Sequence, residues 1–404
     1  MQESFIMKPR HAAPPALPAT APRRVTVLGA TGSVGASALD ILTHHPERFQ
    51  VAALTAQENV EKLIALARQF RPEIVAIGNE AHYQTLKSAL VGRKIQVLAG
   101  SRGVIEAAHH PADVTVAAIV GAAGLPAVMA AVAQGRQVAL ANKESLVCAG
   151  TLVMEACKRH GTQILPVDSE HNAVFQVLTS GHASAVERIT LTASGGPFLD
   201  RPLTEFAHIT PAEAVAHPRW QMGAKISVDS ATMMNKGLEL IEAHFLFDMP
   251  AEKIGVMIHP ESIIHALVEY HDGSTLAQLG LPDMRVPLSY TLGWPERLAI
   301  PTGRLDLTAI ARLNFMAVEE ARFPAYGLAR QALSTGQAAM ITLNAANEVA
   351  VAAFLAGKIP FPAIVHSVES ALAHSPATAM NDLESVMALD AEMRRKTAER
   401  MIAC

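Results

Sequence analysis

Apolar residues recur along the first half of the chain in short, unbroken, mostly β-branched runs, at 25–28, 51–54, 74–77, 95–98, 114–120, 138–141 and 164–167. Longer stretches with helical spacing, such as 60–70 and 125–134, separate most of them. Strands that are apolar on both faces and alternate with helices predict a parallel sheet covered on both sides, an α/β architecture. After Asp168 the rhythm becomes irregular. Runs at 263–270 and 274–278, separated by His271-Asp272-Gly273, predict a β-hairpin inside a mixed α+β region. From residue 318 onward the signal is Ala-rich helix without strand, including 345–355 and 367–373, which predicts a C-terminal helical bundle. The pattern divides the chain into a tail (1–22), a dinucleotide-binding region (23–168), a catalytic region (169–293), a linker rich in Pro, Arg and Leu (294–317) and the helical region (318–404).

Composition narrows the function classes. Half the residues are hydrophobic and 17% are charged, which is a globular and not a disordered balance. The formal net charge of −4 offers no general attraction to nucleic acid or to an anionic membrane, so any phosphate ligand needs a local site. Cys148, Cys157 and Cys404 are odd in number and scattered, which argues against a disulfide framework or zinc cluster and fits a reducing cytoplasm. No apolar run reads as long enough to span a bilayer. The Ala- and Pro-rich first 22 residues read as a disordered tail or as a chain starting at Met7, with a transit peptide as the alternative.

The first run ends in glycines at 29, 32 and 35, a strand-turn-helix spacing that lets backbone approach a pyrophosphate at a helix N-terminus. Thr31 and Ser33 can add hydroxyl donors. Placed on the first strand of an alternating pattern, the loop predicts a Rossmann-like nicotinamide site. A second cluster, Gly121 and Gly124, reads equally as a cofactor contact or a tight turn. At the end of the second run Asn59 can donate to a ribose 2′-phosphate while Glu58 repels one, so NAD and NADP are not separable from chemistry alone.

The run at 164–167 ends in Asp168-Ser169-Glu170-His171-Asn172. Two carboxylates at the C-terminal end of a sheet strand can share a hard divalent cation. The plainer reading is a helix start with Asp168 as N-cap. A second segment, 227–239, predicts a helix beginning near Ser230. Ser230 and Thr232 at its start, Lys236 one residue round, and Asn235 and Glu239 on one face would make an anion site beside a third carboxylate. Its plainer reading is a solvated helix with a Lys236 and Glu239 pair. Ser194 on a Gly-Gly-Pro turn can offer a phosphate hydroxyl, or simply turn the chain. Pro218 and Gly223 bracket Trp220 in a loop able to close over a substrate, although Trp220 can equally pack on its own domain. Asn142, Lys143 and Glu144 follow a strand end and face the ligand side of the sheet. His171, His217 and His259 read first as hydrogen-bonding residues, because hard metals prefer oxygen.

Together, residues 29–35, 140–146, 167–172, 191–197, 217–239, 258–262, 277–285 and 343–348 resemble the 1-deoxy-D-xylulose-5-phosphate reductoisomerase family. The resemblance runs from about Arg24 to the end and departs at Gln57 and Glu58. It implies a homodimeric, cytoplasmic enzyme with a Rossmann-like domain, an α+β catalytic domain and a helical bundle. The implied reaction is the NADPH- and Mg²⁺-, Mn²⁺- or Co²⁺-dependent rearrangement and reduction of 1-deoxy-D-xylulose 5-phosphate to 2-C-methyl-D-erythritol 4-phosphate, on the non-mevalonate route to isoprenoid precursors. By that resemblance Asp168, Glu170 and Glu239 bind the metal. Ser194, Ser230, Asn235 and Lys236 hold the substrate phosphate with His217 beside them. Lys143 and Ser169 meet substrate oxygens, and Trp220 covers the substrate. Thr31, Gly32, Ser33, Val34, Asn59, Asn142, Glu144 and Gly223 bind NADPH. Two rival readings share the fold: a semialdehyde-type dehydrogenase with Cys148 as nucleophile, and a nicotinamide-sensing regulator without metal-dependent turnover.

Overall fold

The computed structural model describes residues 21–179, 183–220 and 222–403; the N-terminal tail of the sequence reading lies almost wholly outside these residues. Seven strands, β1 (Arg23–Leu28), β2 (Phe49–Ala56), β3 (Ile74–Ile77), β4 (Gln96–Ala99), β5 (Val114–Ala117), β6 (Gln137–Leu140) and β7 (Gln163–Pro166), form one sheet in the order β4-β3-β2-β1-β5-β6-β7. Every pairing in it is parallel. All four residues of β3 and of β5 are buried, as the unbroken apolar runs require. The fifth run is shorter than its apolar pattern: β5 stops at Ala117, and 118–120 leave the sheet for a turn. Strand order reverses between β2 and β5, on either side of β1, so the ligand crevice opens above the ends of β1 and β5.

A second sheet of β8 (Val186–Ala193), β9 (Ile254–Ile258), β10 (Ile264–Tyr270) and β11 (Thr275–Leu279) has the order β11-β10-β8-β9. β10 and β11 form the expected antiparallel hairpin, with Glu269 opposite Thr275 and Gly273 at φ 83° in its turn. The linker stretch is not featureless. It holds a short helix, Leu307–Ile310, and Met316 bridges to Ile258 of β9. Beyond it come the helices Pro324–Thr335, Gln337–Leu355, Pro362–Leu372 and Leu383–Ala403.

Two cores carry most of the packing. One gathers Val25, Val27, Leu54 and Val116 of the parallel sheet and reaches across the chain to Leu288 and Leu292. The other joins β6 and β7 to Phe175, Leu240, Ile241 and the bundle residues Ile341 and Leu343 in a single cluster. Burying a side chain of this size contributes about 1.5–3 kcal/mol, so the bundle is part of the fold's stability.

Two expectations need correction. The helix expected to begin near Ser230 is two helices, Ala224–Thr232 and Met234–Phe247, broken at Met233, which adopts φ 63°. Ser230 therefore ends one helix instead of starting the other. In addition, Gln337–Leu355 is long and apolar enough, by length and composition, to cross a membrane. It is apolar because it is the core helix of the bundle, with 72% of its apolar window buried.

Gly29 shows how tightly the first turn is built. It sits at φ 82°, and a Cβ there would lie 2.6 Å from the Ala118 carbonyl oxygen. Gly29→Ala is expected to cost about 1–3 kcal/mol through strain and overpacking, measured by urea denaturation; unchanged stability would show that the turn relaxes freely.

Candidate active site

The acid cluster forms where β7 meets two helices. Asp168 does occupy the N-cap of helix Ser169–Leu178, yet its side chain makes no capping hydrogen bond. Freed from that task, its Oδ2 lies 2.5 Å from Lys143 Nζ. That contact is not aligned as a hydrogen bond, so the buried oxygen has no hydrogen-bond partner. Lys143 Nζ donates to Glu239 Oε1 at 3.1 Å and to Asn235 Oδ1 at 2.9 Å. Lys236 Nζ donates to Glu170 Oε1 at 2.7 Å and also to Glu239 Oε2. Asn235 Nδ2 donates to Glu239 Oε1 at 2.5 Å, the four-residue spacing acting as one helix face requires. Glu239 is thus the hub: Asp168 and Glu170 reach it through one lysine each.

Burial and charge oppose each other throughout the cluster. Burial pushes Asp168 up, and Lys143 only partly offsets this because Glu239 adds repulsion. Burial also raises Glu170, but Lys236 and the Ser169 hydroxyl, which donates at 2.7 Å, bring it down to about 2. Both lysines are desolvated and still held above the ordinary lysine value by their carboxylates. Beneath them lies Glu242, fully buried, with neither carboxylate oxygen hydrogen-bonded; burial and Asp168 push it well up. His171 Nε2 donates to the Glu239 carbonyl at 2.8 Å while Nδ1 stands 3.4 Å from Glu242 Oε2. Asp168, His171 and Glu242 bring ligand atoms within 4.8 Å of one another.

Leaving aside Glu242, which burial drives towards its neutral form, Asp168, Glu170 and Glu239 face two ammonium groups. That oxygen-rich set, with Asp168 Oδ2 ion-paired to Lys143 but not hydrogen-bonded, fits a hard divalent cation. Asp168, Glu170 and Glu239 are brought together through lysine bridges and not by direct mutual contact. The plainer reading of the first acid segment holds for the backbone, with Asp168 at the N-cap and Glu170 in the first turn, although the Asp168 side chain makes no capping bond. The plainer reading of the second does not hold, because Lys236 and Glu239 form a buried pair, not a solvated one.

The anion-binding groups collect nearby. Gly195 and Gly196 take φ 81° and 70°, and a Cβ on Gly196 would lie 2.8 Å from the Ser230 carbonyl, so the Ser194 turn packs directly on the end of Ser230's helix. Ser194 Oγ is 2.9 Å from His217 Nε2. His217 Nδ1 accepts from the Arg219 and Trp220 N–H groups, so Nε2 carries the proton and the ring is neutral. Burial accordingly lowers its pKa to about 4. Trp220 does not simply pack away: it shares a cleft with Ser169, Asn172 and His265, its ring 6.1 Å from that of His265.

On the sheet's other side, the 29–35 loop lies against Ala118. Asn142 Nδ2 donates to Ile119 O at 2.6 Å and to Gly121 O at 2.9 Å. Thr31, Gly32, Ser33 and Val34 open the helix Ser33–His44, with Gly32 and Ser33 exposed at its N-terminus. Asn59 caps helix Val60–Phe70 by accepting from Lys62 N, and Lys62 Nζ donates to Thr31 O at 2.9 Å. The Glu58 carboxylate is engaged by Asn79 at 2.8 Å, which ties it to the β3 edge. Glu144 accepts from Lys225 at 2.7 Å, two residues beyond the exposed Gly223. Cys148 is fully buried, and desolvation raises its thiol well above the ordinary value, which removes it as a nucleophile.

Sequence reasoning missed His265, Lys225, Glu242 and Glu348. His265 sits on β10 inside the hairpin pattern, where alternation alone does not separate a ligand-facing residue from a core one. The other three matter chiefly through partners far away in sequence: Glu144 for Lys225, Asp168 and His171 for Glu242, Ala122 for Glu348.

A parallel dinucleotide fold whose strand ends overlook buried carboxylates and lysines defines a nicotinamide-dependent oxidoreductase with a polar catalytic pocket. Three models of one family match the chain: 1-deoxy-D-xylulose 5-phosphate reductoisomerase over residues 25–150, its C-terminal domain over 164–247, and the DXP reductoisomerase C-terminal domain over 279–396. The reductoisomerase of Rhodospirillum centenum is 54% identical, over 94% of this chain and 95% of its own. A Zymomonas mobilis reductoisomerase solved in complex with NADPH superposes with a TM-score of 0.88 at 50% identity, covering 94% of this chain and 99% of that one. A DOX-P reductoisomerase in complex with NADPH, fosmidomycin and magnesium gives 0.91 at 44% identity, covering 94% and 98%. The chain belongs to the 1-deoxy-D-xylulose 5-phosphate reductoisomerase family.

Lys143→Met removes the ammonium between Asp168 and Glu239. In EDTA it is expected to cost about 3–5 kcal/mol, the penalty of leaving a buried charge unpaired, and Mg²⁺ recovers part of it. Thermal unfolding with EDTA and with Mg²⁺ checks both; an unchanged Tm in EDTA contradicts the bridge. Because the folded His217 pKa lies below the unfolded value, its contribution to stability is full above about 6.5 and is lost as pH falls from there to about 4. Imidazole NMR on the ligand-free protein should find this ring neutral at pH 5.5, and a ring already charged there refutes the assignment.

Proposed function

We propose that this protein converts 1-deoxy-D-xylulose 5-phosphate to 2-C-methyl-D-erythritol 4-phosphate with NADPH and a divalent metal, supplying isoprenoid precursors. The observation that carries the reading is the Glu239 hub, which draws Asp168, Glu170, Lys143, Lys236 and Asn235 into one cluster. Asp168, Glu170 and Glu239 hold Mg²⁺, with Mn²⁺ and Co²⁺ as alternatives of the same ligand preference. When bound, the cation polarises the substrate's carbonyl and NADPH supplies the hydride.

The chain's own residues do the rest. Ser194, Ser230, Asn235, Lys236 and the neutral His217 grip the phosphate, and that remote binding energy orients the reacting carbons. Lys143 and Ser169 face the substrate oxygens, Lys143 being held charged by Asp168 and Glu239. Trp220 closes the cleft over Ser169 and excludes water. Thr31, Gly32, Ser33, Val34, Asn59, Asn142, Glu144 and Gly223 take NADPH; engagement of Glu58 by Asn79 leaves the amide of Asn59 to face the ribose 2′-phosphate. The three regions, the dinucleotide part to Asp168, the catalytic part to residue 293 and the bundle from 318, meet at this pocket. The working form is a cytoplasmic homodimer.

NADPH oxidation with 1-deoxy-D-xylulose 5-phosphate, with and without EDTA, tests the reading directly; metal-independent turnover overturns the metal's place in it. Glu239→Gln is expected to lower kcat at least about 100-fold while NADPH affinity stays unchanged. Parallel loss of both would place Glu239 in folding and not in chemistry.

A further inference from the structure

The segment 343–348 belongs to the bundle, far along the chain from the dinucleotide loop, yet its last residue reaches the cofactor side of the parallel sheet. Glu348 Oε1 accepts from the Ala122 N–H at 3.1 Å and from Asn344 Nδ2 at 2.9 Å. Its Oε2 accepts from Arg394 Nη2 at 2.6 Å, and Arg394 Nε donates to Asp390 Oδ2 at 2.6 Å on the same C-terminal helix. Ala122 opens the turn that leads into helix Leu125–Val132, so the carboxylate occupies a helix entrance where free N–H groups favour an anion. Gly121 is shaped to this neighbour: it sits at φ 81°, and a Cβ there would lie 2.9–3.1 Å from the Glu348 carboxylate. One N-terminal donor of the second glycine cluster, the Ala122 N–H, is therefore already held by an internal anion.

The same turn is gripped on its other flanks. Asn142 takes the carbonyls of Ile119 and Gly121, and the Ala118 carbonyl backs Gly29 of the cofactor loop. The neighbouring bundle residue, Asn347, donates at 2.8 Å to Asp229, whose other oxygen meets Lys225 at 2.8 Å, the partner of Glu144. Two adjacent side chains of one helix thus tie the bundle to the turn beneath the cofactor and to the helix after the closing loop.

We propose that Glu348, held by Arg394, is a positioning residue for the nicotinamide cofactor: it fixes the 118–122 turn against which the 29–35 loop and Asn142 are set. It touches no reacting atom and acts through the backbone of that turn. The inference rests on reading the 29–35 loop and Asn142 as the NADPH site. Simple bundle packing predicts something different, because glutamine fills the same volume as glutamate but cannot pair with Arg394 as a charge.

The test uses the full-length enzyme and reads NADPH Kd by fluorescence titration, KM for the sugar phosphate, and Tm. Glu348→Gln is expected to raise NADPH Kd roughly tenfold, as loss of one charged hydrogen bond does, with KM for the sugar phosphate within about twofold. Arg394→Ala, on a side chain 30% exposed, is expected to act in the same direction, and Arg394→Lys to recover part of the affinity. An unchanged NADPH Kd in both Glu348→Gln and Arg394→Ala overturns the proposal. So does a parallel loss of NADPH affinity, sugar-phosphate affinity and Tm, the signature of a loosened bundle. A wild-type enzyme that does not bind NADPH would instead refute the cofactor-site reading on which the proposal stands.

Discussion

Glu239 is buried with two lysines and within a few ångströms of three other carboxylates, and much of the surrounding architecture follows from keeping those charges apart from water and in balance. A buried carboxylate left unpaired costs several kcal/mol. The members of the cluster arrive from three places in the fold: Asp168 and Glu170 just after β7, Lys143 at the start of the helix after β6, and Asn235, Lys236, Glu239 and Glu242 on one helix. The break at Met233 is part of this design. Ending one helix at Thr232 and starting another at Met234 puts Asn235 and Lys236 in a first turn, where backbone N–H groups are free.

The parallel sheet, the helix carrying Glu239 and the C-terminal helices share one core. The larger core runs from β6 and β7 through Leu240 and Ile241 into Ile341 and Leu343, so the bundle is packed against the same strands that carry the acids. The apolar length of Gln337–Leu355 is what this role demands: a helix surrounded by protein on most sides is hydrophobic nearly all round. Among its polar residues, Gln337, Asn347 and Glu348 reach other regions and Asn344 steadies Glu348.

The two sides of the site are held in different ways. The acid cluster is locked by paired charges. The loop carrying His217 and Trp220 is attached, among the described residues, through the Ser194 contact, Arg219 Nε donating to Pro260 O at 3.2 Å, and the ring of His265. A neutral His217 suits that position, because an imidazole that gives up its charge on burial can meet a phosphate as a plain donor and adds no pull on the loop when the pocket is empty.

The chain's own order of residues determined the parallel sheet, the glycine turn, the hairpin and the bundle, since each depends on local periodicity and turn chemistry that neighbours in sequence already contain. It also singled out Asp168 and Glu170 by their strand-end position and Glu239 by its spacing from Asn235, while joining the three rested on the family resemblance. Only tertiary structure decided that Asp168 leaves its capping role, that Lys143 and Lys236 bridge the acids, that Glu242 lies beneath them, and that Glu348 answers the second glycine turn from more than two hundred residues away. The reason is physical: the worth of a buried charge depends on which opposite charges and donors surround it, and folding, not adjacency along the chain, chooses those neighbours.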